Sequence, residues 1–311
     1  MATTRLFAQD PQFTQFYANP LYLNPAFAGS VHCPRICLNY RNQWPALTGT
    51  FVTFSASYDQ QIDQISSGLG VLVLTDNAGE GTLNTTRVSG VYSYQLTVNR
   101  DFSVRFGLEA TYVQRKLDWD KLTFGDMIDP RYGFIYPTTE VHPNTTKSFP
   151  DFSAGILAYS SHAYGGVAVD HLTEPEESFI KPAPGSTLPM KITAHVGAII
   201  PMSDSRNEET YFSPNILYQL QRDFQQLCLG MYIAKPPLVG GLWYRQAGKN
   251  GDSFQALVGI QQGVFKFGYS YDITISTLAS ASAGSHEISM GIIFPCHPRK
   301  KRFKTIKCPT F

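Results

Sequence analysis

Ser285, His286 and Glu287 put a hydroxyl, an imidazole and a carboxylate in three consecutive positions, the residue types of a nucleophilic relay. Consecutive side chains on a strand point to opposite faces, so these three cannot converge on one bond. The chain has no Gly-x-Ser-x-Gly, His-Glu-x-x-His or phosphate-binding loop, and no enzymatic activity is expected. Metal chemistry fares no better. Asp118, Asp120 and Asp126 lack the spacing of a calcium loop, and His32 and His297 beside the cysteines match no standard zinc pattern, so neither metal nor cofactor is expected. Of five cysteines, Cys33 and Cys37 flank Pro34-Arg35-Ile36 and Cys296 and Cys308 bracket a basic tail. Those four allow three pairings. Cys228, on the strand face of Gly230 and Tyr232, is expected as a lone buried thiol.

The elements around these residues are strands. Phe102, Val104, Phe106, Leu108, Ala110 and Tyr112 alternate with Ser103, Arg105, Gly107, Glu109 and Thr111, giving one apolar and one polar face. Val88 to Val98 and Phe265 to Ile273 repeat the pattern, with aromatics on the aliphatic face. About fourteen such strands are expected, at 35–43, 50–59, 67–75, 85–98, 102–116, 151–160, 163–171, 190–201, 210–220, 224–234, 238–246, 252–261, 264–273 and 285–294. Charged residues make up only 16% of the chain, below the usual quarter of soluble domains, while apolar residues reach 43%. No apolar run is long enough for a membrane-spanning helix. The expected fold is therefore all-β, a transmembrane antiparallel up-and-down barrel with its apolar face in lipid.

Short turns at 99–101, 160–162, 235–237 and 262–263 alternate with long loops at 117–150, 172–189 and 276–284. With an even strand number, the reading places both termini and the tight turns in the periplasm and the long loops outside. The divisions are a residual signal peptide or disordered start at 1–8, a non-strand segment at 9–34, the barrel at 35–294 and a basic tail at 295–311. Ala8-Gln9 resembles the end of a leader whose apolar core is missing. The net charge of +1 argues against nucleic acid as a partner.

Several motifs resemble one family. Asp10-Pro-Gln-Phe-Thr-Gln-Phe-Tyr17, Asn19-Pro20, Leu23-Asn-Pro-Ala-Phe-Ala-Gly29, Tyr40-Arg-Asn-Gln-Trp44 and Gly284-Ser-His-Glu-Ile288 are similar to those of the PorP/SprF proteins. That family belongs to the type IX secretion and gliding machinery of the Bacteroidota. The resemblance runs over nearly the whole chain and is weakest in the 117–150 loop and the tail. It implies an outer-membrane barrel working with periplasmic and lipoprotein subunits, and in some members the retention of a surface adhesin through its C-terminal sorting domain.

Partner contact is expected at three places. Phe13, Phe16, Tyr17, Asn19, Asn24 and Phe27 lie in a proline-broken aromatic segment that either plugs the lumen or packs below the barrel as a docking surface. Trp119 and Tyr132 stand among acids in the long loop and suit a protein or sugar. Arg299, Lys300, Lys301 and Arg302 give the tail a charge that suits an acidic partner or outer-membrane lipid. Barrel closure sets the first strand beside the last, which favours at least one disulfide between Cys33 or Cys37 and Cys296 or Cys308. The competing function is a channel for apolar small molecules, of the fourteen-stranded long-chain fatty-acid-transporter type. A lumen face of Ser, Thr, Gln, Arg, Glu and Gly disfavours the apolar pocket such a channel needs.

Overall fold

The computed structural model describes residues 10–296 apart from 48, 80, 100, 140–144, 180–185, 203–209, 249 and 276–282. Fourteen strands close into one antiparallel ring: β1 Arg35–Gln43, β2 Phe51–Ile62, β3 Ser67–Ala78, β4 Leu83–Thr97, β5 Phe102–Leu117, β6 Thr146–Ser160 and β7 Ala163–Asp170. The ring continues through β8 Lys191–Ala198, β9 Tyr211–Gln221, β10 Phe224–Lys235, β11 Leu238–Ala247, β12 Asn250–Gln262, β13 Phe265–Thr274 and β14 Ser285–Ile293. Each strand pairs with its sequence neighbours, and β1 pairs with β14 from Arg35↔Ile293 to Gln43↔Ser285. Closure leaves no unpaired edge, which hydrocarbon could not satisfy.

The alternation sorts the two faces as their polarity requires. On β5, Phe106, Leu108 and Tyr112 face outward and are exposed, while Ser103, Arg105 and Thr111 face inward and are buried. Outward residues on the other strands are apolar too, including Leu242 and Val258, and form the lipid-facing surface. No helix among the described residues is long and apolar enough to cross a membrane.

The lumen is filled by chain. Residues 10–30 run through it as an arm of three single turns, Phe16–Ala18, Pro20–Leu23 and Pro25–Phe27. Pro20 and Pro25 open two of these turns, where the missing N–H costs nothing, and the Asn24 side chain caps the third by accepting from Ala26 N at 2.9 Å. The arm's end at Asp10 lies beside His171, Lys191 and Gln221, at the rim of the long loops. Cys33 and Cys296 lie at the opposite rim and form a disulfide with Cα atoms 5.4 Å apart. The chain ends, expected together at one rim, lie outside the described residues; the described arm crosses the lumen from the disulfide rim to Asp10 at the other. Strand parity fixes where strands begin, not where an arm before the first strand is led. The bridge itself joins the amino-terminal cysteines to the tail as barrel closure favoured.

Candidate functional site

The site is the contact between the arm and the inner wall. At its centre Glu287 accepts from the backbone N–H of Thr14 at 2.6 Å and of Gln15 at 3.0 Å. The Thr14 hydroxyl donates to Asp272 at 2.7 Å, and Arg41 donates to both carboxylates, at 2.9 Å to Asp272 and 3.2 Å to Glu287. Arg245 reaches Asp272 at 3.2 Å. Two guanidinium groups thus balance two carboxylates beneath the arm, which lets all four stay buried. Gln15 adds bonds to Ser270 and to the Glu287 carbonyl, and its Oε1 accepts from Ser289 at 2.6 Å.

Towards the disulfide rim the arm is held by its amides. Asn19 donates to Ser55 at 2.9 Å, and Asn24 donates to the carbonyls of Ile156 and Val167 at 3.2 and 3.3 Å. The Ala28 carbonyl accepts from Ser93 and Arg105, and Gly29 N donates to Asp59, which also takes a two-pronged pair from Arg35 at 2.8 and 3.0 Å. The wall makes room with glycine at the closest approaches. A Cβ at Gly107 would overlap the backbone of Pro25 and Ala26, and one at Gly155 would overlap the Asn24 carboxamide.

The arm's aromatics enter a pocket that the alternation did not predict. Phe16 packs edge-on against Trp243 with centroids 4.6 Å apart, Tyr17 sits 5.7 Å from Tyr164 and 6.5 Å from Tyr232, and Phe27 stacks on His195 at 5.4 Å. Leu157, Leu217, Cys228, Ala234, Val239 and Leu257 complete this buried cluster. The lumen wall is therefore polar on one side and apolar on the other, which corrects the expectation of a uniformly polar lumen. Runs such as Leu227 to Ala234 on β10, apolar at nearly every position, carry the signal: a strand with lipid on one face and an apolar lumen on the other loses its polarity alternation. Cys228 is a buried free thiol within the cluster, as expected, and Cys37 is buried and free as well.

At the long-loop rim, His171 follows β7 and lies between two carboxylates, with Nε2 2.6 Å from Asp10 and Nδ1 2.6 Å from Asp151. Arg87 and Lys191 also reach Asp10, Lys191 at 3.3 Å. Burial pushes the Asp10 carboxyl up, but Arg87, His171 and Lys191 outweigh it and hold it well below the usual range. For His171, burial works against the charge, and Asp10 overcomes it to raise the imidazole to about 9. Both ring nitrogens are engaged, so this histidine has no free position for proton transfer to a reacting group. A cavity of about 30 Å³ lies beneath, lined in part by Tyr22, Glu109, Ser153 and Asp170.

The expected partner residues divide into three groups. Phe13, Phe16, Tyr17, Asn19, Asn24 and Phe27 are all at most 5% exposed, so they face the wall and not a partner. Of the two placements expected for this segment, a plug in the lumen or a surface below the barrel, the chain adopts the first, with the aromatic rings packed inside the ring. Trp119 stacks on Phe124, and Tyr132 is 68% exposed at the turn of a small hairpin, Ile128–Asp129 with Gly133–Phe134. Asp129 closes that turn by accepting from Arg131 N and Tyr132 N, and Asp126 accepts from Thr139 N and Thr138 Oγ1. Those backbone bonds lower both carboxyls and commit them to the loop's shape. Arg299, Lys300, Lys301, Arg302, His297 and Cys308, with the start at 1–8 expected as a residual signal peptide or disordered segment, lie outside the described residues. Among the described residues no acid, histidine or cysteine cluster could hold a metal ion.

A family model described as the type IX secretion system membrane protein PorP/SprF matches residues 6–292. No curated protein matches the chain. Among solved structures, the toluene transporter TodX of P. putida is 9% identical over 88% of this chain and 93% of its own, with a TM-score of 0.53. The KdgM porin is 11% identical over 84% of this chain and 99% of its own, at a TM-score of 0.38. CdiB from Acinetobacter baumannii is 6% identical over 85% of this chain and 60% of its own, at 0.44. The likeness to TodX is one of fold.

Proposed function

Because the chain belongs to the PorP/SprF family of type IX secretion system membrane proteins, we propose that it is an outer-membrane component that docks periplasmic and lipoprotein subunits and helps export or retain a large surface protein. The match over residues 6–292, which takes in both the arm and the barrel, carries this reading. In it the disulfide rim faces the periplasm and the long-loop rim the outside. The Tyr132 hairpin then offers exposed aromatics and acids to a secreted protein, whose C-terminal sorting domain is the segment retained, and the basic tail meets periplasmic subunits or lipid. The part is one of binding rather than catalysis, in keeping with a His171 whose two nitrogens are both occupied.

A channel for apolar small molecules finds support in the barrel's likeness to TodX and in the apolar side of the lumen. That apolar surface is covered by Phe16, Tyr17 and Phe27, which weighs against it. The two readings separate in a mild-detergent pull-down of the tagged native protein followed by mass spectrometry. Recovery of secretion-system subunits or a large secreted protein supports the first. A barrel recovered alone, or with small apolar molecules bound, overturns it in favour of the channel.

A further inference from the structure

The arm meets the wall as a ligand meets a receptor. Its backbone amides at Thr14 and Gln15 end on one carboxylate, its Phe16-Tyr17 pair fills an aromatic pocket, and its Asn19 and Asn24 amides are read by a hydroxyl and by two strand carbonyls. The wall at Gly107 and Gly155 is cut to the arm's backbone and Asn24, with no space for even a methyl group. None of these contacts needs the covalent link to β1. The link, at Ser30 to Pro34, is only partly buried at the disulfide rim. A mere space-filler would not require Arg41, Arg245, Asp272 and Glu287 to be buried in matched charge around one threonine and one glutamine.

We propose that the lumen is a peptide-binding site whose resident ligand is residues 13–27, and that it accepts the same class of sequence on a separate chain. That class is a peptide of consecutive single turns with Thr-Gln-Phe-Tyr followed by Asn-Pro steps, in which the proline turns set the amide spacing. The pocket around Trp243 selects the aromatic pair, and Glu287 with Asp272 selects the free N–H and hydroxyl before it. The inference rests on the arm and its wall and not on the family reading, so either can fail without the other.

The test uses the full chain, folded in detergent, with a protease site inserted between Val31 and His32 and cut after folding. Co-elution of the severed arm with the barrel supports the proposal. So does loss of the arm followed by saturable rebinding of a labelled synthetic peptide of residues 10–31. In both cases a peptide carrying Phe16→Ala and Tyr17→Ala competes at least roughly 100-fold less well than the natural one, as expected for losing two buried aromatic side chains. Loss of the arm with no rebinding, or equal competition by a scrambled peptide, overturns it. Resistance of the cut barrel to unfolding in dodecyl sulfate without heat shows that the ring survives the cut. The test peptide includes Asp10, so its rebinding also restores the Asp10 contact to His171 Nε2, a change in the imidazole resonances visible by NMR.

Discussion

At Gly155 a single methyl group tests the fit of the arm, because an added Cβ would overlap the Asn24 carboxamide that both caps the turn at Pro25 and bonds to β6 and β7. Overpacking of this kind costs about 1–3 kcal/mol. Gly155→Ala is expected to speed proteolysis of the arm while the ring keeps its resistance to unfolding. Gly90→Ala, on the outer face with nothing within 4 Å of the new Cβ, should leave the cleavage rate unchanged. Equal rates in all three proteins would show that the arm does not depend on this fit. The Asp10 end predicts a pH dependence. His171 is raised from 6.5 to about 9 in the fold, so its contribution is whole below about pH 6.5 and is lost as pH rises through about 9. The Asp10 carboxyl is lowered from 3.8, so its contribution is whole above that value and is lost as pH falls below it. Both are complete between about pH 4 and 6.5. A spin label on Gln12→Cys should stay immobile there and gain a mobile component towards pH 9 and above. His171→Gln should show that component throughout, and a spectrum independent of pH would refute the anchoring.

At the scale of elements, the strands were legible because lipid and lumen impose opposite polarity on alternate residues, and a strand of ten or more residues repeats that contrast often enough to be read. Boundaries failed where one residue type misled. The sixth strand is expected from 151, yet it begins at Thr146, and Pro150 pairs with Tyr112 inside the ladder. Proline argues against a strand interior because it cannot donate, but antiparallel pairing leaves alternate positions where no donor is required. The apolar side of the lumen went unread for the opposite reason: with both faces of β10 apolar there was no contrast to detect. The Cys33–Cys296 bridge was legible from closure, since β1 and β14 had to meet. Its contribution can be measured. It joins residues 263 apart, a long loop to constrain in the unfolded chain, so Cys33→Ser with Cys296→Ser is expected to destabilise the barrel by about 2–5 kcal/mol. The nine-residue ladder between β1 and β14 keeps the ring closed in the variant. The temperature at which the folded band converts to the unfolded one on gels should therefore fall, with no change in the circular dichroism of the folded form. An unchanged transition would assign the stability of the seam to the ladder alone.

At the scale of the whole molecule, the path of the arm could not be read from sequence, because a proline-broken segment has no period and its partners are scattered along the chain, from Asp59, 30 residues from Gly29, to Glu287, 273 residues from Thr14. What could be read was that fourteen strands enclose more space than their own side chains fill. The structure gives that space an occupant, and a consequence follows for permeability. On one side the wall behind the arm is lined by Ser55, Ser57, Asp59, Ser93, Arg105, Ser270, Asp272 and Glu287, groups that would hydrate readily once uncovered. Apolar residues line the other side only in part, so they do not form a ring that could exclude water. Deleting residues 10–30 should therefore turn a closed barrel into a water-filled one that conducts ions in planar bilayers. The full chain should conduct at least on the order of tenfold less, since the arm spans the lumen from Asp10 at one rim to Gly29 at the other. Charge selectivity should be weak, because Arg41 and Arg245 remain opposite Asp272 and Glu287 after the deletion. Conductance by the intact protein equal to that of the deletion variant would mean that the arm leaves a path beside it. Silence from a deletion variant shown to be folded would mean that the long loops close the outer rim by themselves, and that the arm serves binding rather than closure.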